Sequence, residues 1–308
     1  MKTALVAIGR RENQYAREWV QHHLAQGFDH IYIYDNNHDG EDRFDTVLGD
    51  FVAETGNSAP AGFPSGNPVT IIPYRNRNSA QRDAYNDAYA RFGQNYDWLA
   101  FFDFDEFLCF TPAASPSSIA GDCIAVPATV PAASPAVTPS VRCAAAAPLP
   151  TFLATIPPHY HAVMIPWLMM TDSGLIHNDH RPLMTRFTQS TTNGGGQGKC
   201  IVRTRIPGLR FTRSVHIPYE PVLNCCTPRL QPTLQKRHQP QDTTVAYLKH
   251  FSTKTIEEWL TNKWQKGAAG IPYATFLQKY QDYFFRINER TPEKEAFIQE
   301  WRKHEISK

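Results

Sequence analysis

The stretch Trp98-Leu99-Ala100-Phe101-Phe102-Asp103-Phe104-Asp105-Glu106-Phe107-Leu108 decides how the rest of the chain is read. Trp98–Phe102 is a continuous apolar run, the pattern of a strand buried on both faces. It runs straight into three acids. In open α/β sheets, ligands bind at the carboxyl edge of the strands. Like charges crowded there repel one another unless a cation offsets them. Hard carboxylate oxygens suit Mg²⁺ or Mn²⁺, so Asp103 and Asp105 are candidate metal ligands with Glu106 behind them. A metal bridging two phosphates would stabilise the charge that builds on a departing nucleoside diphosphate. A lone D-x-D pair also arises as solvated surface acids. The aromatic strand before it and the order of elements around it give this one weight.

Upstream, Leu5–Ile8 reads as a buried strand ending in Gly9-Arg10-Arg11. Asn13 to Gln26 puts Tyr15, Trp19 and His22 or His23 on one helical face, and Gly27 stops it. Ile31–Tyr34 is β-branched and aromatic, hence a second strand. It ends in the turn cluster Asp35-Asn36-Asn37, then His38-Asp39-Gly40. Strand, helix, strand in this spacing is a βαβ unit, expected to be parallel and right-handed. Val69–Ile72 follows as a third strand. Asn78 or Ser79 is the expected cap of a helix with the stripe Ala80, Ala84, Ala88 and Phe92, which Gly93 ends.

Downstream, Val163–Met170 and Lys199–Arg203 read as strands, the second preceded by the turn Gly194-Gly195-Gly196, and Tyr247–Phe251 leads into the next signal. Thr255-Ile256-Glu257-Glu258 has the capping-box form. Thr291-Pro292 opens a last helix. Between these halves, residues 111–150 are dominated by Ala, Pro, Ser and Thr with almost no charge. That composition predicts an irregular low-complexity insertion, with order resuming at Phe152. The whole predicts one α/β domain over 1–308, with a mostly parallel central sheet and helices on both faces.

Composition narrows the classes. The 308 residues carry 31 basic and 29 acidic side chains, a net charge of +2, which leaves no nucleic-acid footprint. No apolar stretch reaches the roughly 18 residues of a membrane-spanning helix. Ala4–Ile8 is too short for a secretory signal core. The expectation is a cytoplasmic protein whose contact with a membrane, if any, is peripheral. The six cysteines form no CxxC pair, which argues against structural zinc and for free thiols. Cys123 and Cys143 flank the low-complexity stretch and would pair only in an oxidising compartment.

Taken in order, these blocks resemble the family-92-type glycosyltransferases, related to the family-2 enzymes. The family's opening K-N-E, E-W, His and G-F-D-H correspond to Arg10-Arg11-Glu12, Glu18-Trp19, His23 and Gly27-Phe28-Asp29-His30. Its Y-D-N corresponds to Tyr34-Asp35-Asn36. A Gln and A-Y-N before the acidic strand correspond to Gln81 and Ala84-Tyr85-Asn86. Looser matches follow at Trp167, Ser173-Gly174, Lys199 with Val202, Val215-His216, and His250-Phe251 with Lys254 and Trp259. The chain departs from the pattern at Arg10-Arg11, at His38 where Ser is usual, and at Met170-Thr171 where Phe-Gly is common.

The resemblance implies a GT-A-like nucleotide-diphospho-sugar transferase fold. It implies metal-dependent, inverting transfer of a hexose-type sugar from a nucleotide-diphosphate donor, a UDP-sugar above all, to a saccharide or glycolipid acceptor in polysaccharide biosynthesis. It implies donor contacts from Arg10, Glu12, Asp35, Arg77, Gln81, Asn86, Asp103, Lys199 and Lys254, and a metal held by Asp103, Asp105 and His250, with His216 as the rival third ligand. An inverting reaction needs a general base, for which Asp172 and Asp179 are the candidates. Two other readings stand beside it. One is a metal-dependent phosphohydrolase with Asp103 as nucleophile, although that motif wants Thr or Val where Phe107 stands. The other is a non-catalytic sugar-nucleotide or glycan-binding protein.

Overall fold

The computed structural model describes residues 1–52, 67–111, 147–238, 241–263 and 273–306. The insertion expected at 111–150 falls largely outside them, as do Cys123 and Cys143. The helix Pro148–Ala154 begins four residues ahead of Phe152, with proline in its first turn.

The strands are β1 (Thr3–Gly9), β2 (His30–Asp35), β3 (Val69–Pro73), β4 (Trp98–Phe101), β5 (Glu106–Phe110), β6 (Ala162–Met170), β7 (Ser190–Thr191), β8 (Gly198–Arg203), β9 (Cys225–Cys226), β10 (Pro232–Thr233) and β11 (Ala246–His250). Along the main sheet the order is β10-β9-β6-β8-β4-β1-β2-β3. The half β4-β1-β2-β3 is parallel throughout, as the βαβ spacing predicts. The other half is not. β8 runs antiparallel to both β4 and β6, so the sheet is mixed and not mostly parallel. The reason lies in the connections. A parallel neighbour needs a crossover, whereas the chain leaving β6 returns through a one-turn helix (Leu183–Arg186) and turns, and re-enters beside β6 in the opposite sense.

Pleating sends alternate residues of each central strand to opposite faces. Leu5 and Ala7 of β1 join Tyr15, Ala16, Trp19 and Val20 of α1 (Asn13–Gln26) in one core. Ala4 and Val6 join Ala84, Tyr85 and Ala88 of the helix Gln81–Phe92 in a second core on the other face. Helices therefore cover both faces, as expected. α1 has the predicted limits, and Gly27 ends it in the left-handed region at φ 108°, where a side chain would be strained. The helix Gln81–Phe92 starts without the expected cap. Ala80 holds the cap position, no side chain bonds to the first turn, and Ser79 lies at φ 51°.

β5 does not continue β4. The chain bends at Asp103–Asp105, and β5 pairs antiparallel with β11, which in turn pairs parallel with β6. α1 holds this bend in place. The buried Trp19 indole N–H is shared between the carbonyls of Asp103 (3.0 Å) and Glu106 (2.9 Å). One turn on, fully buried His23 accepts from the Leu108 amide at Nε2 (3.3 Å), while its Nδ1 meets the Trp19 carbonyl at 2.9 Å. That arrangement needs a neutral ring with its proton on Nδ1.

The predicted capping box is present. Thr255 Oγ1 accepts from the Glu258 amide, and Glu258 Oε2 accepts from the Thr255 amide at 3.1 Å. The helix it opens is only Ile256–Glu258 before it widens into a π-helical turn, Trp259–Lys263. The helix Pro292–Ile306 starts as Thr291-Pro292 predicts, with the Lys294 amide 3.4 Å from Thr291 Oγ1. The helix Tyr273–Ile287 has no counterpart in the sequence reading.

Burial first, and then the neighbouring His22, push the proton affinity of His23 well below that of a free imidazole. The folded ring stays neutral while the unfolded one protonates below its ordinary value near 6.5. Stability is therefore full above about pH 6.5 and falls as the pH drops below it. Each such histidine should contribute a slope of about 1.4 kcal/mol per pH unit. His23→Gln should remove roughly one proton from that slope, read from urea unfolding between pH 6 and 5. An unchanged slope would mean that His23 protonates in the folded state.

Candidate active site

Two cavities meet at the β4–β5 bend, and Asp103 and Asp105 line both. The first, of about 440 Å³, is walled by Gly9, Arg10, Glu12, Asn36 and Gln81. Gly9 is forced by packing here, since a methyl group at its Cα would stand 2.6 Å from the Phe104 ring. The second cavity, of about 380 Å³, is walled by Trp167, His216, His250, Trp259 and Tyr283. Both lie within the size range of small-molecule sites.

Asp103 is the most heavily held of the acids. Its Oδ1 receives Gln81 Nε2 at 2.5 Å, Lys199 Nζ at 2.9 Å and the Tyr85 hydroxyl at 3.2 Å. Lys199 is fully buried. Burial works against the Asp103 charge, but the Lys199 ammonium outweighs it and holds the carboxyl below its ordinary range. Glu106 is also fully buried. Its Oε2 accepts the Asp103 amide at 2.9 Å and lies 3.9 Å from Lys199 Nζ, and its Oε1 has no hydrogen-bond partner. Burial drives this carboxyl well above the usual carboxylate range, despite Lys199. Burial opposes the Lys199 charge as well, yet Asp103 and Glu106 together raise its pKa. The three acids thus differ sharply. Asp103 is paired with Lys199 and held low, Glu106 is sealed and held high, and Asp105 stands at the junction of the cavities.

Asp105 Oδ1 lies 3.6 Å from His250 Nε2. The His250 ring packs on Trp167 at 4.2 Å, and His250 Nδ1 and Trp167 Nε1 are both buried with no hydrogen-bond partner. His216 is turned by its own contact, Nδ1 to the Gly198 carbonyl at 2.9 Å. Burial, and then Lys199, lower its pKa to about 4. Among the described residues no three His, Cys, Asp or Glu side chains converge on one point. Asp105 and His250 offer two ligands, and Asp103 is committed to Lys199.

The remaining sequence candidates divide by what they touch. Gln81 and Glu12 line the first cavity, and so does Arg10, whose guanidinium grips Glu41 through Nη2 at 2.8 Å and Nε at 3.0 Å. That grip holds the Glu41 carboxyl far below its ordinary range. Lys254 does not face the cavity. Its buried ammonium lies 3.7 Å from Glu12 Oε2 and over the Tyr15 ring, so it braces Glu12 from behind. Lys199 likewise reaches Asp103 and does not line the cavity as a phosphate contact.

Asp35 is buried, its two oxygens taken by the amides of Asn37 (3.0 Å) and Phe44 (3.3 Å). It builds the turn after β2, and its neighbour Asn36 faces the cavity. Arg77 stacks on Tyr74. Asn86 clamps the backbone of Phe211 through both ends of its amide. Neither Asp172 nor Asp179 lines either cavity. Asp172 is buried against Lys294 at 2.5 Å, and Asp179 pairs with Arg181 on the surface. Glu41, Tyr283 and Lys279 carry no recognisable signal in the sequence. Glu41 sits in a loop without a motif, and the other two sit in the unread helix.

Residues 8–119 match the family model of glycosyltransferase family 92. No curated protein matches the chain. The matched segment runs from the end of β1 past β5, so it contains the acidic bend and the described wall of the first cavity, apart from Val215. It supports a glycosyltransferase, an enzyme that handles a nucleotide-sugar and an acceptor. Lys199, His250 and the aromatic wall of the second cavity lie beyond it. No helix among the described residues is long and apolar enough to cross a membrane.

Lys199→Met should leave Asp103 and Glu106 without their shared cation. Removing one partner of a buried pair typically costs about 3–5 kcal/mol, and urea unfolding should show a loss near the lower end because Asp103 is one-third exposed. Adding Asp103→Asn should recover part of it. No recovery would show that the pair is not what holds the bend.

Proposed function

We propose that this chain is a GT-A-like glycosyltransferase that moves a hexose-type sugar from a nucleotide-diphosphate donor, a UDP-sugar above all, to a saccharide or glycolipid acceptor. One observation carries the reading. Two cavities of sugar-nucleotide and sugar size share a wall made of Asp103 and Asp105, at the carboxyl end of β4. The first is polar and takes the nucleotide diphosphate. The second is aromatic and takes the acceptor, whose apolar ring face suits Trp167 and Trp259. The family match over the first cavity supports the same assignment.

A divalent cation, Mn²⁺ or Mg²⁺, fits this donor set in a limited way. Asp105 and His250 would hold it, and the His250 nitrogen that lacks a partner leaves that ring without a competing hydrogen bond. Such ions are often bound by one or two side chains plus substrate phosphates, which agrees with the lack of a three-ligand cluster among the described residues. Bound there, the ion would neutralise charge on the departing diphosphate. The chain's own part is orientation. Lys199 and Gln81 keep Asp103 charged and fixed, and Trp19 fixes the backbone that carries it. Among the described carboxylates, only Asp103 and Asp105 line the acceptor cavity.

Titration with UDP, GDP and CDP, each with and without Mn²⁺, tests the reading by thermal unfolding. A nucleotide at about 100 times its Kd should add roughly 2.7 kcal/mol, a rise of several degrees. The shift should need the metal and vanish in Asp105→Ala. No shift with any nucleotide would remove the donor site. Turnover gives a second check. Asp179→Asn should leave the rate within about twofold, since Asp179 faces solvent outside both cavities. A hundredfold loss would return Asp179 to the reaction.

A further inference from the structure

The second cavity has one cation on its wall, Lys279, and a second, Arg286, against the wall residue Tyr283, and the transfer chemistry uses neither. Tyr283, on its wall, lies in the last third of the helix Tyr273–Ile287. Lys279 lies four residues before it and Arg286 three residues after it, spacings that place side chains on the same helical face. Lys279 lines the cavity. Arg286 lies over the Tyr283 ring, its guanidinium carbon 4.8 Å from the centroid. Both are exposed, and neither is ion-paired among the described residues, although Asp282 sits between them on the helix.

The aromatic platform itself is built. Trp259 stacks nearly parallel on Tyr283 (5.6 Å, 14°), and the Tyr283 hydroxyl is held by Ser252 at 3.2 Å. The π-helical turn that begins at Trp259 sets that indole against the platform, and such turns recur at functional sites. Of the cavity's two carboxylates, Asp103 is paired with Lys199, and Asp105 faces His250 at 3.6 Å. What is left over at the rim is positive.

We infer that the acceptor is an anionic saccharide, one that carries a carboxylate or phosphate beside the sugar ring lying on Trp259 and Tyr283, and that Lys279 and Arg286 read that charge. The inference rests on the assignment of the second cavity to the acceptor. The charge has two sources, a uronic acid within a glycan or the phosphate of a phosphorylated sugar. Complementary charge at a site selects partners and steers their approach more than it adds affinity, so the effect is one of discrimination. An exposed ion pair is worth up to about 1 kcal/mol, or roughly fivefold.

The test uses the full chain with Mn²⁺ and saturating UDP, so that the first cavity cannot take the probe. Methyl glucoside, methyl glucuronide and glucose 1-phosphate are titrated and followed by ligand-detected NMR. One or both anions should bind about fivefold tighter than the neutral glycoside, and the favoured anion names the source. Lys279→Ala with Arg286→Ala should abolish the preference, while Trp259→Ala should weaken all three probes alike. Equal binding of the three by the wild type overturns the inference, and so does a preference that survives the double variant. UDP binding is read in the same samples. Its failure counts against the transferase reading, whereas normal UDP binding with no anion preference counts against this inference alone.

Discussion

A single buried ammonium organises the centre of this protein. Lys199 projects from β8 into the space beneath the β4–β5 bend, where Asp103, Glu106 and the Tyr85 ring receive it. Moving such a charge out of water is costly, and an ion pair with good geometry is what offsets the cost. The consequence reaches both ways. The pair demands that β8 lie beside β4, which is the antiparallel insertion that makes the sheet mixed. It also sets two neighbouring acids apart, because burial pushes both carboxyls up but the adjacent cation overrides it at Asp103 and not at the sealed Glu106.

The bend itself is held from the opposite side of the sheet. Trp19 bonds the carbonyls of Asp103 and Glu106, and His23 takes the amide of Leu108. The bonds to Glu106 and Leu108 are buried, so losing either would leave an unsatisfied group. The acids are therefore placed by a rigid backbone and not by a mobile loop. That is the kind of preorganisation a site needs if it is to meet a charged leaving group without rearranging.

The two cavities differ in where their walls come from. The first is built mostly by the N-terminal segment, the part that matches the glycosyltransferase family. Apart from Asp103 and Asp105, the described wall of the second lies beyond that segment, on β6, β11, the π-helical turn, the helix Tyr273–Ile287 and the residues His216 and Ser252. A buried brace links the two sides. Glu258 accepts from Tyr15 and Arg186 and closes the capping box that precedes Trp259, while Lys254 spans from Tyr15 to Glu12.

The sequence by itself determined the local elements. Apolar period, Gly27 and the run Trp98–Phe102 defined β1, α1, β2 and β4, because those signals are carried within one element and owe little to distant residues. It also marked the acids at the end of β4, since a charge cluster after a buried strand is visible without a structure. Only the tertiary structure decided what each polar residue does. Asp35, Asn86, Asp172 and Lys254 have residue types that suit a donor or a base, yet each is consumed by a partner far along the chain or by its own turn. The sense of β8, the pairing of β5 with β11 and the aromatic wall with Lys279 arise the same way. They depend on which distant segments the buried charges and rings require as neighbours, and no local pattern encodes that choice.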